Sequence, residues 1–418
     1  MTASIAADQV SYSDLYARWE QGNWSATGLD FTTDREQWQQ EFTELERRGA
    51  TWTYSLFFHG EDSVADNLSP FIDAAPLEEQ KYFLATQQVD EARHAVLFAR
   101  FMREVAGTGD DVGSSLERTR SRLTWGFRKV FERLDRMADE LRRDRSRPKL
   151  AQAITLYHLV IEASLAQPGQ HFIEEGLTRR DLLPGFREGV GNVARDEQRH
   201  IAFGVKMIAD LVREDPDCEP AIADLLREIL PFTVAVFVPP GWDERYITSF
   251  GFTLQDIYTQ GAEAMEGRLR AAGLDPMKMR LGLPFDMPAA ARAERGLTLL
   301  RAGYLGERNG GVKPSPEATA MLFDGLRRQI DASVAPGATI QWDFSDAEPW
   351  HLRIAGSGAP TAVAPGRAEH PDLTFHCRLQ DWVDIAAGRT EPWRSLLHGK
   401  VRPTGKLRML VRAPKLFA

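Results

Sequence analysis

The chain has 418 residues, more than one hydrophobic core usually serves, so two domains are expected. Its 43% hydrophobic and 27% charged residues are those of a globular protein that needs no disulfides to bury a core. A formal net charge of −9 argues against nucleic acid, or an anionic membrane held by bulk electrostatics, as a partner.

The opening MTASIAADQVSYSDLY has neither the basic nor the apolar region of a signal peptide. From about Arg35 to about Ala272 apolar residues recur at three and four, as in Phe83, Val89, Val96, Leu97 and Phe101, which predicts helices. Gly and Pro fall between such runs and place the helices near 35–74, 77–106, 115–146, 149–177, 186–214, 218–236 and 244–272. Several exceed 25 residues, a length that suits a bundle of long antiparallel helices. The texture changes after about Pro284. Residues 285–311, helical near 288–304 and ending in the turn Asn309-Gly310-Gly311, read as a linker. A helix near 316–333 follows, then short alternating segments Ile340–Phe344, His351–Ile354 and Leu373–His376, two short helices and a last helix near 406–417. The expected division is therefore 1–284, a linker over 285–311, and a small α+β domain over 312–418. No run approaches the roughly 18 apolar residues of a membrane span. Two cysteines, Cys218 and Cys377, exclude a thiolate cluster and fit a reducing compartment, so a cytoplasmic location is expected.

The chemistry lies in a repeated pattern, D-E-x-R-H, at Asp90-Glu91-Ala92-Arg93-His94 and Asp196-Glu197-Gln198-Arg199-His200. Glu and His three apart share one helix face and can reach one metal ion. Two such helices call for two further carboxylates. Glu61 and Glu162 each lie in an apolar run on the helix before a motif, where an unpartnered acid is costly. The order Glu, Glu-x-x-His, Glu, Glu-x-x-His is that of carboxylate-bridged dimetal bundles. A further match, Glu348-Pro349-Trp350-His351, cannot be helical around its proline. Asp90 and Asp196 are placed to accept the second ring N–H of a ligand histidine. Arg93 and Arg199 sit about 200° round the helix from the glutamates and read as salt-bridge partners. His59, His158 and His171 lie outside the pattern and read as packed or hydrogen-bonded side chains.

On these residues the stretch from about 50 to 205 resembles the ribonucleotide reductase small-subunit superfamily, which implies a ferritin-like helical bundle. The resemblance implies Glu61, Glu91, His94, Glu162, Glu197 and His200 as metal ligands. Radical-bearing small subunits carry a tyrosine four residues after the first ligand histidine, where this chain has Phe98. The chain is more similar to the ligand-binding oxidases of that superfamily. That likeness implies a manganese–iron pair, or two irons, with dioxygen as oxidant. It also implies an ether cross-link between Val64 and Tyr157, a fatty acid or sterol-like hydrophobic ligand, an unidentified electron donor and a homodimer.

Residues from about 312 resemble sterol-carrier-protein-like lipid-binding domains, on the stretch LTFHCRLQDWVDIAAGRTEPWRSLLHGKVRPTGKLRMLVRAPKLF with its Gly399-Lys400-x-x-x-x-Gly405 turn before the last helix. The expectation is a mainly α protein, a ferritin-like bundle followed by a small α+β domain, acting as an oxygen-activating dimetal oxidase or monooxygenase on a hydrophobic substrate. The alternatives are a reductase small subunit lacking its radical tyrosine, and a lipid-binding protein with a structural metal site.

Overall fold

The computed structural model describes residues 10–308, 310–356 and 359–416. The first nine residues of the opening segment, Asn309 of the expected turn and Phe417 of the expected last helix lie outside the described residues. The chain divides into two compact units, one reaching Leu225 and resuming over Val236–Asp275, the other made of Leu226–Ala235 and the chain from Pro276.

The first unit is helical: α1 (Tyr12–Gln21), α2 (Thr32–Gln40), α3 (Glu44–Asn67), α4 (Ser69–Ala74), α5 (Glu78–Glu104), α6 (Val112–Thr119), α7 (Trp125–Arg143), α8 (Arg147–Ile154), a π-helix (Thr155–Ala166), α9 (Gln167–Arg180), α10 (Pro184–Glu214), the start of α11 (Cys218–Thr233), α12 (Arg245–Thr248) and α13 (Leu254–Ala271). The ferritin-like core pairs α3 with α5, and α10 with the π-helix, α9 and α5. Reciprocal caps set where helices begin: Ser11 with Asp14 for α1, Thr43 with Glu46 for α3, Thr253 with Asp256 for α13. The Thr43 cap is why the single helix expected over 35–74 starts afresh at Glu44, and the Ser69-Pro70 pair is where it breaks again into α4. The helix expected over 149–177 is wound in three styles, α, π and α. Helix α1 lies before the first helix expected from the sequence. The core is aromatic, with Phe57, Phe58, Phe98, Phe101 and Phe186 in one buried cluster.

The second unit holds α14 (Ala289–Arg301), α15 (Pro316–Gln329), β1 (Thr339–Phe344), β2 (Trp350–Arg353), β3 (Ala362–Pro365), β4 (Leu373–Cys377), α16 (Leu379–Ala386), α17 (Pro392–Leu397), β5 (Val401–Gly405) and α18 (Leu407–Leu416). The sheet order is β3-β2-β1-β4-β5, with β1 and β4 parallel and the other pairs antiparallel. Alternate residues of β1 (Ile340, Trp342, Phe344) enter the core with Phe323 of α15, which stacks on Trp350 at 4.8 Å. Residues 285–311, expected to link the two parts, hold α14 and place Tyr304 in this core, its hydroxyl 2.7 Å from Thr319 Oγ1. Two strands differ from expectation. β3 is half-exposed and gives little alternation, and the segment read as a turn before the last helix is β5. β5 tolerates Pro403 because it is an edge strand, where a missing N–H breaks no inner ladder.

Candidate metal centre

Four helical segments bring the six singled-out acids and histidines together. Glu61 comes from α3, Glu91 and His94 from α5, Glu162 from the π-helix, and Glu197 and His200 from α10. All six are buried. Glu61, Glu91, His94 and Glu197 each offer an atom within 4.8 Å of the others, as do Glu91, Glu162 and His200. Nδ1 of His94 lies 3.3 Å from Glu91 Oε2, 3.4 Å from Glu61 Oε2 and 3.9 Å from Glu197 Oε1. Nδ1 of His200 lies 3.2 Å from Glu91 Oε1, 3.5 Å from Glu162 Oε1 and 3.6 Å from Glu197 Oε2. Glu91 therefore stands between the two imidazoles, one oxygen toward each.

The π-helix explains how Glu162 and Tyr157 join the same site. In an α-helix residues five apart point about 140° away from each other, whereas winding with i→i+5 bonds brings them toward one face. Tyr157 Oη donates to Glu91 Oε1 at 2.9 Å, and Glu162 Oε1 accepts from Gln87 Nε2 at 2.8 Å. The opposite ring nitrogens are held crosswise. His94 Nε2 faces Asp196 Oδ2 at 3.2 Å and His200 Nε2 faces Asp90 Oδ2 at 3.1 Å. With the Nε2–H donated to an aspartate, each Nδ1 would present a lone pair to an ion in the cluster once its own proton is released. Arg199 Nη2 donates to both Asp90 (3.1 Å) and Asp196 (2.6 Å), and Arg93 lies 3.3 Å from Asp90. Trp19 Nε1 donates to Asp90 at 2.9 Å and Trp24 Nε1 to Asp196 at 2.8 Å.

The electrostatics are those of a crowded acidic site out of water. Burial pushes the Glu61 carboxyl up to about 8 and Glu162 well above the usual range, with neighbouring carboxylates adding to the effect. Burial opposes charge on the two imidazoles, yet the carboxylates around them win and raise both. Burial and the facing acids lift the Tyr157 phenol far up, so it stays a donor. Asp196 is held well below its usual range against its burial, by His94, Arg199 and Trp24.

Three atoms of the cluster, Glu162 Oε2, Glu197 Oε2 and His200 Nδ1, are buried and find no hydrogen-bond partner among the described residues. Buried carboxylate oxygens and an imidazole nitrogen left without hydrogen-bond partners are what a cation would satisfy, and mixed carboxylate and imidazole donors suit iron or manganese. The residues fit a metal pair. An almost wholly apolar cavity of about 50 Å³ opens on this cluster, with Glu61, Glu91, Glu162 and Glu197 among its lining and Val64, Phe57 and Ile161 in its walls. Phe98 is fully buried among rings, 5.9 Å from Phe57 and 5.7 Å from Phe186.

The family model for "Ribonucleotide reductase, small chain" matches residues 7–233, more than half of the chain. The chain belongs to this family. Residues 329–418 match the SCP-2 sterol transfer family. Among solved structures, the chain is similar to variants of an R2-like ligand-binding oxidase with a reconstituted Mn/Fe cofactor. One reconstituted anaerobically is 22% identical, with a TM-score of 0.53 over 63% of this chain and 94% of its own. One reconstituted aerobically is also 22% identical, with a TM-score of 0.51 over 70% of this chain and 92% of its own. At that identity the likeness is one of fold.

Trp19, Trp24 and Gln87 were not singled out from the sequence. Gln87 left a signal, since it stands one turn before Glu91 on the face that also carries His94. His158 Nε2 meets Gln87 Oε1 at 3.1 Å and His59 Nε2 meets Thr119 Oγ1 at 2.9 Å, while His171 is half-exposed beside Glu175. His351 bonds the Gly366 carbonyl from strand β2.

Proposed function

We propose that this protein is a dioxygen-using dimetal-carboxylate oxidase or monooxygenase acting on a hydrophobic small molecule, fatty-acyl or sterol-like. The convergence of His94 Nδ1 and His200 Nδ1 on four buried carboxylates, three of the cluster's atoms lacking a partner, carries the reading. Glu61, Glu91, His94 and Glu197 would hold one ion, and Glu91, Glu162, His200 and the second oxygen of Glu197 the other. Four carboxylates and two neutral imidazoles balance two divalent ions, and loading them would release the protons the imidazoles otherwise hold. The solved neighbours carry Mn/Fe, so manganese with iron is favoured over two irons. When bound, such a pair supplies electrons to dioxygen and stabilises the charge that develops.

The chain's own residues shape that chemistry. Asp90 and Asp196 fix both imidazoles in one tautomer, and the apolar walls around Val64 keep water from the acids. Tyr157 keeps its proton on the oxygen of Glu91 that faces His200. Val64 lines the cavity that Glu91 also lines, and Tyr157 donates to Glu91, which supports an ether between Val64 and Tyr157. Its formation removes one hydrogen from a valine carbon and one from the phenol, and the two electrons pass to dioxygen. Phe98 offers no phenol, which disfavours a radical-bearing reductase subunit. The reading also takes residues 312–418 as a lipid-binding domain joined through 285–311, a location in the cytoplasm consistent with two unpaired buried thiols, a homodimer, and an external electron donor. No described helix is long and apolar enough to cross a membrane.

The test is oxygen uptake by metal-loaded protein given a chemical reductant, followed by intact-mass analysis. Uptake with loss of two hydrogens, abolished in Tyr157→Phe, is the expected result. Metal-loaded protein that consumes no oxygen would overturn the oxidase reading.

A further inference from the structure

The second unit carries a surface that neither the metal centre nor the sheet explains. Trp393, Leu396, Leu397, Leu407 and Val411 are each 46–76% exposed, and few other large apolar side chains among the described residues are as open. Helix α17 buries only Ser395 of its six residues. In α18, Met409 and Leu416 enter the core with Ala413 packed against it. The opposite face shows Leu407 and Val411, one turn apart, beside exposed Arg408, Arg412 and Lys415. Both helices pack against the edge strand β5.

The charge of this segment departs from that of the whole chain. Residues 392–416 contain Arg394, Lys400, Arg402, Lys406, Arg408, Arg412 and Lys415 and no Asp or Glu. Lys406 pairs with Asp372, and Lys400 lies 4.0 Å from Asp381. Arg402 and Arg412 donate to the backbone carbonyls of Gly399 and Val334, and Arg394 lies 5.2 Å from the Trp393 ring centre. The net charge of −9, which argues against bulk attraction to an anionic membrane, hides a local excess of cations.

We propose that α17, β5 and α18 form a docking surface for an anionic lipid bilayer. Apolar side chains amid cations are the composition that rests in the headgroup layer, the apolar groups leaving water and the cations meeting lipid phosphates. A nucleic acid would meet the cations but leave five apolar side chains in water. A second copy related by a two-fold axis would set the same cations against each other. The surface needs no metal, so its failure and that of the oxidase reading are separable. It would give the protein access to molecules that dissolve in membranes.

The test is co-sedimentation of the full chain with vesicles of phosphatidylcholine alone, or with about a third replaced by phosphatidylglycerol. Binding to the anionic vesicles, weakened by salt, is expected. Each cation removed in Arg408→Gln with Arg412→Gln should lower partition about fivefold. Leu397→Ser with Val411→Ser should lower it on the order of tenfold. These positions are exposed, and an unchanged circular dichroism spectrum and melting midpoint would show that the variants fold. No partition to anionic vesicles would overturn the proposal, as would partition that both double variants leave unchanged. Displacement of the vesicles by RNA whose binding survives the apolar substitutions would overturn it too. So would a change in sedimenting mass, without loss of lipid binding, on those same substitutions.

Discussion

The two halves of the metal centre repeat one pattern, yet they are built differently. In the first half Glu61 stands on the regular helix α3, while in the second Glu162 stands on a π-helix that also delivers Tyr157. The histidines are exchanged: Asp196 of the second half holds His94 of the first, and Asp90 of the first holds His200 of the second. Neither half is therefore a self-sufficient binding module. Close packing through glycine occurs in both halves, with a Cβ on Gly169 of α9 falling 2.6 Å from Phe57 Cζ of α3. A Cβ on Gly204 of α10 would fall 2.2 Å from His158 Cβ, and one on Gly261 of α13 would fall 2.7 Å from the Ser164 carbonyl oxygen. On α3, Gly60 has only Phe131 Cζ, at 3.5 Å. At the π-helix, Gly204 and Gly261 let α10 and α13 come close, whereas Gly60 beside Glu61 has room to spare.

The largest expected effect separates shared from private ligands. Glu91→Ala should lose both ions, Glu61→Ala only the one beside His94, and Glu162→Ala only the one beside His200, read as metal per chain. Next come the glycines. Gly204→Ala should cost about 3 kcal/mol or more of stability through overpacking against His158. Gly60→Ala should be neutral or stabilise α3 by roughly 0.5–1 kcal/mol. Urea unfolding of the metal-free protein reads both.

The pH dependence of stability sharpens the comparison. Burial depresses His158 from 6.5 to about 3 and His59 to about 4. An unfolded histidine takes up a proton below 6.5 while these folded ones do not, so the unfolded state binds more protons and stability falls as pH drops through that window. His158→Gln should flatten the loss between neutral pH and about pH 4 by on the order of 2–3 kcal/mol, and His59→Gln by less. The last effects lie behind the histidines. Asp90→Asn should weaken the ion beside His200, and Asp196→Asn the ion beside His94, each by roughly 10–100-fold in a competition titration with a chelator.

The sequence showed these acids and histidines because the constellation needs few residue types at helical spacing, and charged groups inside apolar runs stand out. The donors behind the aspartates were not legible in the same way. Trp19 and Trp24 reach Asp90 and Asp196 across 71 and 172 residues of chain, and no period ties them. The π-helix left no mark either, since TLYHLVIEASLA contains no Gly or Pro and reads as an ordinary buried helix. In the second unit, alternation found β1, β2 and β4, whose inner faces are buried, and missed β3 and β5, which lie at the edges and alternate weakly. Residues 399–405 read as a turn from the glycines at their two ends, and the proline between them says nothing of which strand stands beside it.

Elemental analysis of protein purified from cells supplied with both manganese and iron tests the central claim most directly. The account predicts about two ions per chain, falling to almost none in Glu91→Ala. Little bound metal in the unaltered protein, persisting after anaerobic reloading, would contradict it.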